Sequence, residues 1–324
     1  MKPLVANTAA ALVALLAGAA FAQDTYPSKP IKLIVPFATG SGIDQVARIF
    51  AEELRGPLKQ SVIVENREGA AGVIGATSVA TGAADGYTVL VGAHPPFAIA
   101  TQLQRNPGYD PLTSFAPIAR VGAVVMVGIS ASSMPFKNWQ EMAVYFRANP
   151  AKANYAVSGT GSPGQLFTQL IKLQTGLPMQ EISYKSTGQA LNDVLGGQVQ
   201  FSIVSMPATL GHIKAGTVRL MGVGSKERLK DFPDTPTLGA LIGDPSYEAL
   251  VWYGFLVPQG TPVAIVNRLY TEIAAASASP RVEALFTKSS IVPGLQNPQQ
   301  FAASLKNDVA MARKMITAAK LEPQ

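Results

Sequence analysis

The stretch from Ile31 to Phe50, "IKLIVPFATGSGIDQVARIF", combines a predicted strand, a loop of small residues and the start of a helix. A strand is predicted from Ile31 to Phe37 because this short run is almost entirely apolar, as in strands that a parallel sheet buries on both faces. Val46, Ile49 and Phe50 then recur at the spacing of an amphipathic helix. The loop between them presents the free N–H groups of a helix N-terminus, an arrangement that suits an anion.

The same alternation of strand, loop and helix recurs along the chain. "YTVLVG" (Tyr87–Gly92) is a further predicted strand, and Phe115 to Ser130 is one long strand or two tandem strands. Two helical patterns, Pro262 to Ala278 and Pro298 to Ala319, close the chain. Alternation of this kind predicts an α/β fold. We expect two α/β domains with a cleft between them, at the carboxyl ends of the strands where loops and helix N-termini meet.

The first 22 residues have the pattern of an export signal. Lys2 supplies a positive charge, Ala9 to Phe21 is an unbroken run of small and apolar residues, and the residues up to Ala22 have the A-x-A form of a signal-peptidase site. The run is shorter than the about 20 apolar residues that span a bilayer. We therefore expect cleavage near Ala22 and a periplasmic protein that begins near Gln23.

Composition excludes several classes of function. The 324 residues include no cysteine and two histidines, and the formal net charge is +6. Without cysteine there are no disulfides, thiolate nucleophiles or cysteine zinc sites. The basic residues are scattered, so no nucleic-acid partner is predicted. The chain lacks a G-x-S-x-G elbow, an H-x-x-H pair and an acidic calcium loop, so we predict no catalytic residue, no metal and no cofactor, and expect a protein that is not an enzyme.

The loop from Gly40 to Gly42 matches part of a dinucleotide-binding pattern. A G-x-G-x-x-G motif would need a third glycine at position 45, which is Gln45, whereas Glu65 stands about 20 residues on, where such folds bind a ribose. A dinucleotide-binding oxidoreductase is therefore an alternative. The missing glycine and the export signal argue against it.

Three predicted strand-to-helix loops also carry a helix-capping signature. In each, a serine precedes an aspartate or glutamine by three residues, the capping box that satisfies amides of a first helical turn: Ser41 and Asp44, Ser162 and Gln165, and Ser186 and Gln189. Capping alone accounts for any one of these loops. Three such loops at the ends of strands would face one cleft, which favours a binding site.

Long segments of the chain resemble one known family, the periplasmic solute-binding proteins of tripartite tricarboxylate transporters, also called Bug receptors. The resemblance covers nearly the whole mature chain in order. The segments that carry it include "YPSKPIKLIVPFATGSGIDQVARIFAEEL", "VIVENREGAAGVIGA", "DGYTVLVG", "YKSTGQALNDVLGGQVQF" and "WYGFLVPQGTP".

The resemblance implies a periplasmic-binding-protein-like fold whose two domains, each a mixed sheet flanked by helices, close around a small carboxylate. Domain 1 would be discontinuous, 23–125 plus 253–324, and domain 2 would be 126–252. Carried over by motif, the contacts of domain 1 would come from Phe37, Ala38, Gly42, Asp44, Gly92 and Ala93. Those of domain 2 would come from Ser158, Thr160, Gly161, Ser162, Tyr184, Thr187 and Ser205.

Several positions depart from the family pattern, among them Gln200, which replaces a frequent aspartate. His94 lies in a loop that usually offers serine or threonine, and it is either a ligand contact or a hydrogen-bonded structural group. Ser205 stands where an acidic or amide residue is frequent, which disfavours an amino-acid ligand. Met206 and Trp252 would line an apolar or aromatic remainder of the ligand or pack in the core.

The resemblance also implies the partners. The chain would act as a monomer that captures a mono- or dicarboxylate and delivers it to membrane subunits of a tripartite tricarboxylate-type transporter. A ligand-sensing co-receptor without a transport role is a further alternative, because the same binding site would serve both.

Overall fold

The computed structural model of the protein describes residues 26–94, 96–104, 106–159 and 162–318. The signal peptide expected at 1–22 and the predicted ligand contacts Thr160 and Gly161 lie outside these residues. Within them, no helix combines the length and apolar character needed to cross a membrane.

Strands and helices alternate through most of the described chain. The strands are β1 (Ile31–Val35), β2 (Val62–Asn66), β3 (Thr88–Ala93), β4 (Phe115–Ala131), β5 (Asn154–Val157), β6 (Gln180–Ser183), β7 (Phe201–Ser205), β8 (Val218–Val223), β9 (Leu250–Pro258) and β10 (Ile291–Gln296). The helices are α1 (Gly42–Leu58), α2 (Val73–Ala80), α3 (Pro96–Leu103), α4 (Trp139–Ala148), α5 (Pro163–Thr175), α6 (Thr187–Leu195), α7 (Met206–Lys214), α8 (Leu238–Ile242), α9 (Val263–Ser277), α10 (Pro280–Lys288) and α11 (Pro298–Ala318).

The strands form one curled mixed sheet in the order β2-β1-β3-β9-β4-β7-β5-β6, and β8 and β10 also pair with β4. Strand β1 is parallel to β2 and β3, whereas β9 is antiparallel to β3 and β4. The long strand β4 changes partners along its length. It pairs with β9 up to Val125 and with β7 from Met126 onward. The sheet therefore has two halves that share β4, and the expected mixed α/β architecture is confirmed.

The first half of the sheet is buried under α1, as the opening stretch predicts. Ile31 and Leu33 of β1 are buried together with Val46, Phe50 and Leu54 of α1 in one apolar cluster. Helical spacing gives α1 one apolar face, and burial of that face against the sheet determines how the helix is oriented on the sheet.

The second half of the sheet has an apolar cluster of its own. Trp139 and Phe146 of α4 are buried with Phe167 of α5 and with Phe201 of β7. Because each half buries its own large side chains, the space between the halves need not be filled by core packing.

The segment between the last two predicted helices was not assigned from the sequence. The predicted helices are confirmed as α9 and α11, and the structure adds α10 and β10 between them. Strand β10 pairs with β4 alone, with a register shift between Pro293 and Gln296. A proline removes a ladder donor and belongs to edge strands, which is why this strand carries little sequence signal.

Helix α11 packs across the junction between the halves, against α3, β4 and α5. The indole Nε1 of Trp252 in β9 donates to Asp308 Oδ2 of α11 at 2.7 Å, and Phe301 of α11 packs edge-on against the same indole with 5.0 Å between ring centroids. Trp252 is 1% exposed, so its N–H depends on Asp308 for a partner.

We expect Asp308→Ala to lower the free energy of unfolding by about 2 kcal/mol, because the buried indole N–H would lose its acceptor. Denaturant unfolding followed by tryptophan fluorescence measures this change. Asn307→Ala, at an exposed neighbouring position of α11, is the control and should shift the midpoint little. Equal stability of the two variants would contradict the assigned role of the hydrogen bond.

Candidate functional site

A cavity of about 490 Å³ lies between the two halves of the sheet. Its floor is formed by Val124 and Met126 of β4 and Val251 of β9. The wall from the first half consists of Gly42, Gln45, Tyr253, Lys288, Ser289 and Ile291. The wall from the second half consists of Val157, Ser158, Pro163, Gly164, Thr187, Ala190, Ser202, Ile203, Val204, Ser205 and Pro207.

Four helices present their N-terminal ends to this cavity. The first-turn residues Gly42 of α1, Pro163 of α5, Thr187 of α6 and Pro207 of α7 all line it. Each helix N-terminus carries a partial positive charge and amides without intrahelical partners. Among the described residues that line the cavity none is acidic, and Lys288 is the one charged side chain. The cavity is therefore suited to an anion.

The predicted N-caps of the second half, Ser162 and Ser186, are confirmed by the hydrogen bonds that their side chains accept. Ser162 Oγ accepts from the Gln165 amide at 3.4 Å at the start of α5. Ser186 Oγ accepts from the Gln189 amide at 3.3 Å at the start of α6. These bonds hold the first turns in place beside the cavity, which Pro163, Gly164 and Thr187 line.

The loop before α1 is organised differently from the predicted capping box. Ser41 makes no capping hydrogen bond, and its Oγ is buried without a partner among the described residues. Asp44 is the main side-chain acceptor instead: its Oδ2 accepts from the Gly40 amide at 2.8 Å and from Arg48 Nε at 2.9 Å, and its Oδ1 from Asn66 Nδ2 at 2.9 Å. The predicted side-chain cap at Ser41 is wrong, because the Asp44 carboxylate and not the Ser41 hydroxyl bonds to the loop.

The Asp44 network ties the loop to the sheet. Asn66, the last residue of β2, also donates from Nδ2 to the Phe37 carbonyl at 3.0 Å. Burial opposes ionisation of Asp44, but the hydrogen bonds from Arg48, Gly40 and Asn66 outweigh burial and hold the pKa of its carboxyl below the ordinary value. Only 1% of the surface of Asp44 is exposed, so Asp44 holds the loop from the protein interior and does not line the cavity.

The predicted site residues fall into three groups in the described structure. Gly42, Ser158, Thr187 and Ser205 line the cavity. Phe37, Gly92 and Ala93 line a separate small hollow together with Phe97 and Tyr109. The remaining described candidates line neither: Ala38, Asp44, His94, Ser162 and Tyr184.

His94 is a packed group on the opposite side of β9 from the cavity. Successive strand residues point to opposite faces, so Trp252 points away from the cavity that Val251 and Tyr253 line. The His94 ring stacks on Trp252 at 6.2 Å between centroids, and its Nδ1 lies 3.3 Å from the Leu250 carbonyl oxygen. Burial lowers the pKa of His94, which favours the neutral imidazole.

Glu65, the second feature of the dinucleotide pattern, has its carboxylate occupied. It pairs with Arg67 at 2.7 Å and with Lys32 at 3.5 Å, and it does not line the cavity. Glu65 therefore lies in a surface ion-pair cluster apart from the cavity. In the part of the chain that the structure describes, no group of three or more acidic or histidine side chains could hold a metal ion.

The C-terminal part of the chain contributes residues to the cavity that were not among the predicted site residues. Tyr253 carries a signal that alternation along β9 could have revealed, since Val251, two residues earlier, lines the same face. Lys288, Ser289 and Ile291 carry no such signal, because only the pairing of β10 with β4 brings them there.

Comparisons with known proteins agree with this geometry. A family model for the tripartite tricarboxylate transporter family receptor matches residues 46–321. Protein BugT of Bordetella pertussis is 35% identical over 287 residues, which cover 88% of each chain. The structure of the periplasmic binding protein BugD is 34% identical, with a TM-score of 0.71 over 92% of this chain and 100% of that one.

A further solved structure, R. palustris Rpa4515 with adipate, is 32% identical, with a TM-score of 0.74 over 92% of this chain and 100% of that one. The family match extends over most of the chain, and the similarity to these proteins runs through both halves of the sheet. The chain belongs to the tripartite tricarboxylate transporter receptor family.

Proposed function

We propose that the protein is a periplasmic solute-binding receptor that captures a small carboxylate in the cavity and delivers it to the membrane subunits of a tripartite tricarboxylate-type transporter. The observation that carries this proposal is the convergence of four helix N-termini and Lys288 on a cavity whose described lining includes no acidic residue. Fixed amides and helix dipoles bind a carboxylate without the need for a metal or cofactor. The adipate in Rpa4515 supports a ligand of this class.

The floor of the cavity indicates the chemistry of the part of the ligand that is not a carboxylate. Val124, Met126 and Val251 present apolar side chains between two polar walls. A ligand with an apolar body and one or two carboxylates at its ends would bury the body on the floor and place the charged ends at the helix N-termini. Ser205, with its neutral side chain in the cavity, offers no counter-ion for an ammonium group.

The two halves would act as the two domains of the receptor, 23–125 plus 253–324 and 126–252, in monomeric form after cleavage near Ala22. Strand β4 would act as a hinge where it changes partners between Val125 and Met126. Closure about this point would bring the helices of the second half onto a carboxylate held at α1. Ligands of many two-part binding proteins are enclosed by such hinge motions.

Binding of a carboxylate panel to the mature chain 23–324 tests the proposal. Adipate, malate, hexanoate and benzoate would be compared with glucose and putrescine by thermal shift and calorimetry, since a ligand that binds the native state raises its apparent stability. We expect at least one carboxylate to stabilise the protein and the two control solutes to leave it unchanged. Stabilisation by glucose or putrescine alone would refute the proposal.

Lys288→Met should weaken binding of the carboxylate by up to about fivefold, because Lys288 is solvent-accessible and an exposed charge pair contributes about 0.2–1 kcal/mol. The loss should shrink at high salt, which screens the lysine in the parent protein. Lys152→Met, at an exposed lysine that does not line the cavity, is the matched control. Equal affinities of the two variants at low salt would contradict the role of Lys288.

A further inference from the structure

The hydroxyl group of Tyr253 lies beside the N-terminus of α1. Tyr253 lines the cavity and is 9% exposed, so nearly all of its ring is packed. Its Oη lies 3.0 Å from the point that a Cβ on Gly42 would occupy. Gly42 is the first residue of α1, whose leading amides have no partner within the helix. The hydroxyl and the helix terminus therefore face the same corner of the cavity.

The Tyr253 hydroxyl neither donates a hydrogen bond to nor accepts one from any residue that the structure describes. The hydroxyl groups of other packed tyrosines do make such bonds. Tyr247 Oη donates to the Phe167 carbonyl at 3.1 Å, and Tyr155 Oη donates to Glu181 Oε2 at 2.7 Å. A buried tyrosine hydroxyl normally finds a partner, because an unsatisfied polar group is unfavourable in the interior. The Tyr253 ring lines the cavity, so a molecule in the cavity can supply the partner that its hydroxyl lacks among the described residues.

The chemistry of this corner selects an acceptor. Burial raises the pKa of Tyr253, so the phenol stays protonated and can donate its proton in a hydrogen bond. The neighbouring α1 amides are also donors. Donors of this kind side by side match the two oxygens of a carboxylate, which accept bonds and donate none when ionised.

We propose that Tyr253 is a ligand-binding residue whose hydroxyl donates to the carboxylate held at the N-terminus of α1. The proposal rests on the proposed function and deepens it by naming a side-chain donor at that end of the cavity. The donor comes from β9, the strand that joins the first half of the sheet to β4. Tyr253 thus couples the ligand carboxylate to the junction between the halves.

Tyr253→Phe removes this one oxygen and leaves the ring in place. In the unliganded protein the melting temperature should stay the same or rise, because the lost hydroxyl has no partner among the residues that the structure describes. The affinity for the carboxylates of the panel that bind the parent protein, adipate, malate, hexanoate or benzoate, should fall about tenfold or more, as for a lost hydrogen bond to a charged group.

Tyr247→Phe is the matched control. It removes a hydroxyl that bonds to the buried Phe167 carbonyl, away from the cavity lining. We expect this variant to lower the melting temperature of the unliganded protein and to keep the carboxylate affinity of the parent protein. Tyr253→Phe should therefore lower the carboxylate affinity and keep the stability, whereas Tyr247→Phe should lower the stability and keep the affinity.

The possible outcomes separate this inference from the function that it rests on. If no carboxylate of the panel binds the parent protein, both fail. If the parent protein binds one and Tyr253→Phe binds it equally well, the inference alone is overturned. A loss of unliganded stability in Tyr253→Phe as large as that in Tyr247→Phe would overturn it as well, because the hydroxyl would then be a structural group.

Discussion

Replacement of Gly42 by leucine is expected to abolish carboxylate binding while leaving the chain folded. Gly42 lines the cavity at the first position of α1, and a Cβ there would stand 3.0 Å from Tyr253 Oη. Gly42 does not adopt a left-handed backbone, so leucine fits the helix without backbone strain. Its side chain would occupy the corner where the α1 amides are free. We expect the affinity for a bound carboxylate to fall by at least about 100-fold, or 2.7 kcal/mol.

A graded series with a matched control makes this test sharp. Gly42→Ala adds one methyl group, which the Tyr253 hydroxyl can accommodate by a shift of a few tenths of an ångström, so its loss of affinity should be smaller. Gly211→Leu, on α7 where a Cβ would meet nothing within 4 Å, should keep the parent affinity and raise stability, since glycine disfavours a helix interior by about 0.8–1 kcal/mol. Calorimetry and thermal melts measure both properties. Parent-like affinity in Gly42→Leu would show that the carboxylate binds elsewhere.

The sequence predicted those parts of the site that depend on local pattern. Buried strands followed by helical spacing located β1 and α1, and the capping boxes at Ser162 and Ser186 located the starts of α5 and α6. The loops at these points follow strands, and the carboxyl ends of neighbouring strands meet at one edge. That rule alone brought Gly42, Ser158 and Thr187 to one cavity.

The remainder of the site depends on contacts between distant parts of the chain. Lys288 enters the cavity because α10 leads into β10, which pairs with β4 more than 150 positions earlier in the sequence. No local pattern encodes that pairing. The same limit applies to His94, for which the sequence left open a ligand contact or a structural role, whereas in the structure it stacks on Trp252 and does not line the cavity.

In the loop before α1, different residues hold the turn in place and line the cavity, whereas the sequence pattern assigned both roles to the same residues. The pattern from Ser41 to Asp44 predicted a cap made by both residues. In the structure Asp44 makes the bonds that the cap at Ser41 was expected to share, and it is buried, whereas Gly42 lines the cavity. A ligand can then use the α1 amides without competing with a serine cap.

Asp44→Ala is accordingly expected to lower the free energy of unfolding by about 2–4 kcal/mol, the largest stability effect predicted for a single side chain here. The partly buried Asn66 side chain and the exposed Gly40 amide would each lose a hydrogen bond to a charged acceptor, and such a bond contributes about 1.5–3 kcal/mol. The half-exposed Arg48 can return to water and adds less. Affinity should fall at the same time, because the loop that positions α1 loses its anchor.

Denaturant unfolding measures the stability change and calorimetry the affinity change. Asp231→Ala removes an exposed aspartate and should stay within about 0.5 kcal/mol of the parent protein. If Asp44→Ala were as stable as Asp231→Ala, the hydrogen-bond network would not hold the loop. If stability fell but affinity did not, the loop would not position the ligand.

The lowered pKa of Asp44 gives the network a distinct dependence on pH. A carboxyl with a depressed folded-state pKa binds fewer protons than in the unfolded chain, so its stabilisation is complete above the ordinary value of about 3.9 and is lost as the pH falls through the folded value. Asp44→Asn, which cannot ionise, should therefore be less stable than the parent protein at pH 7. The difference in free energy of unfolding between the two proteins, here called the stability gap, should narrow as the pH falls below about 4. Unfolding curves of both proteins between pH 7 and a pH below about 4 measure the stability gap. A stability gap that did not change with pH would mean that the charge on Asp44 contributes nothing to holding the loop.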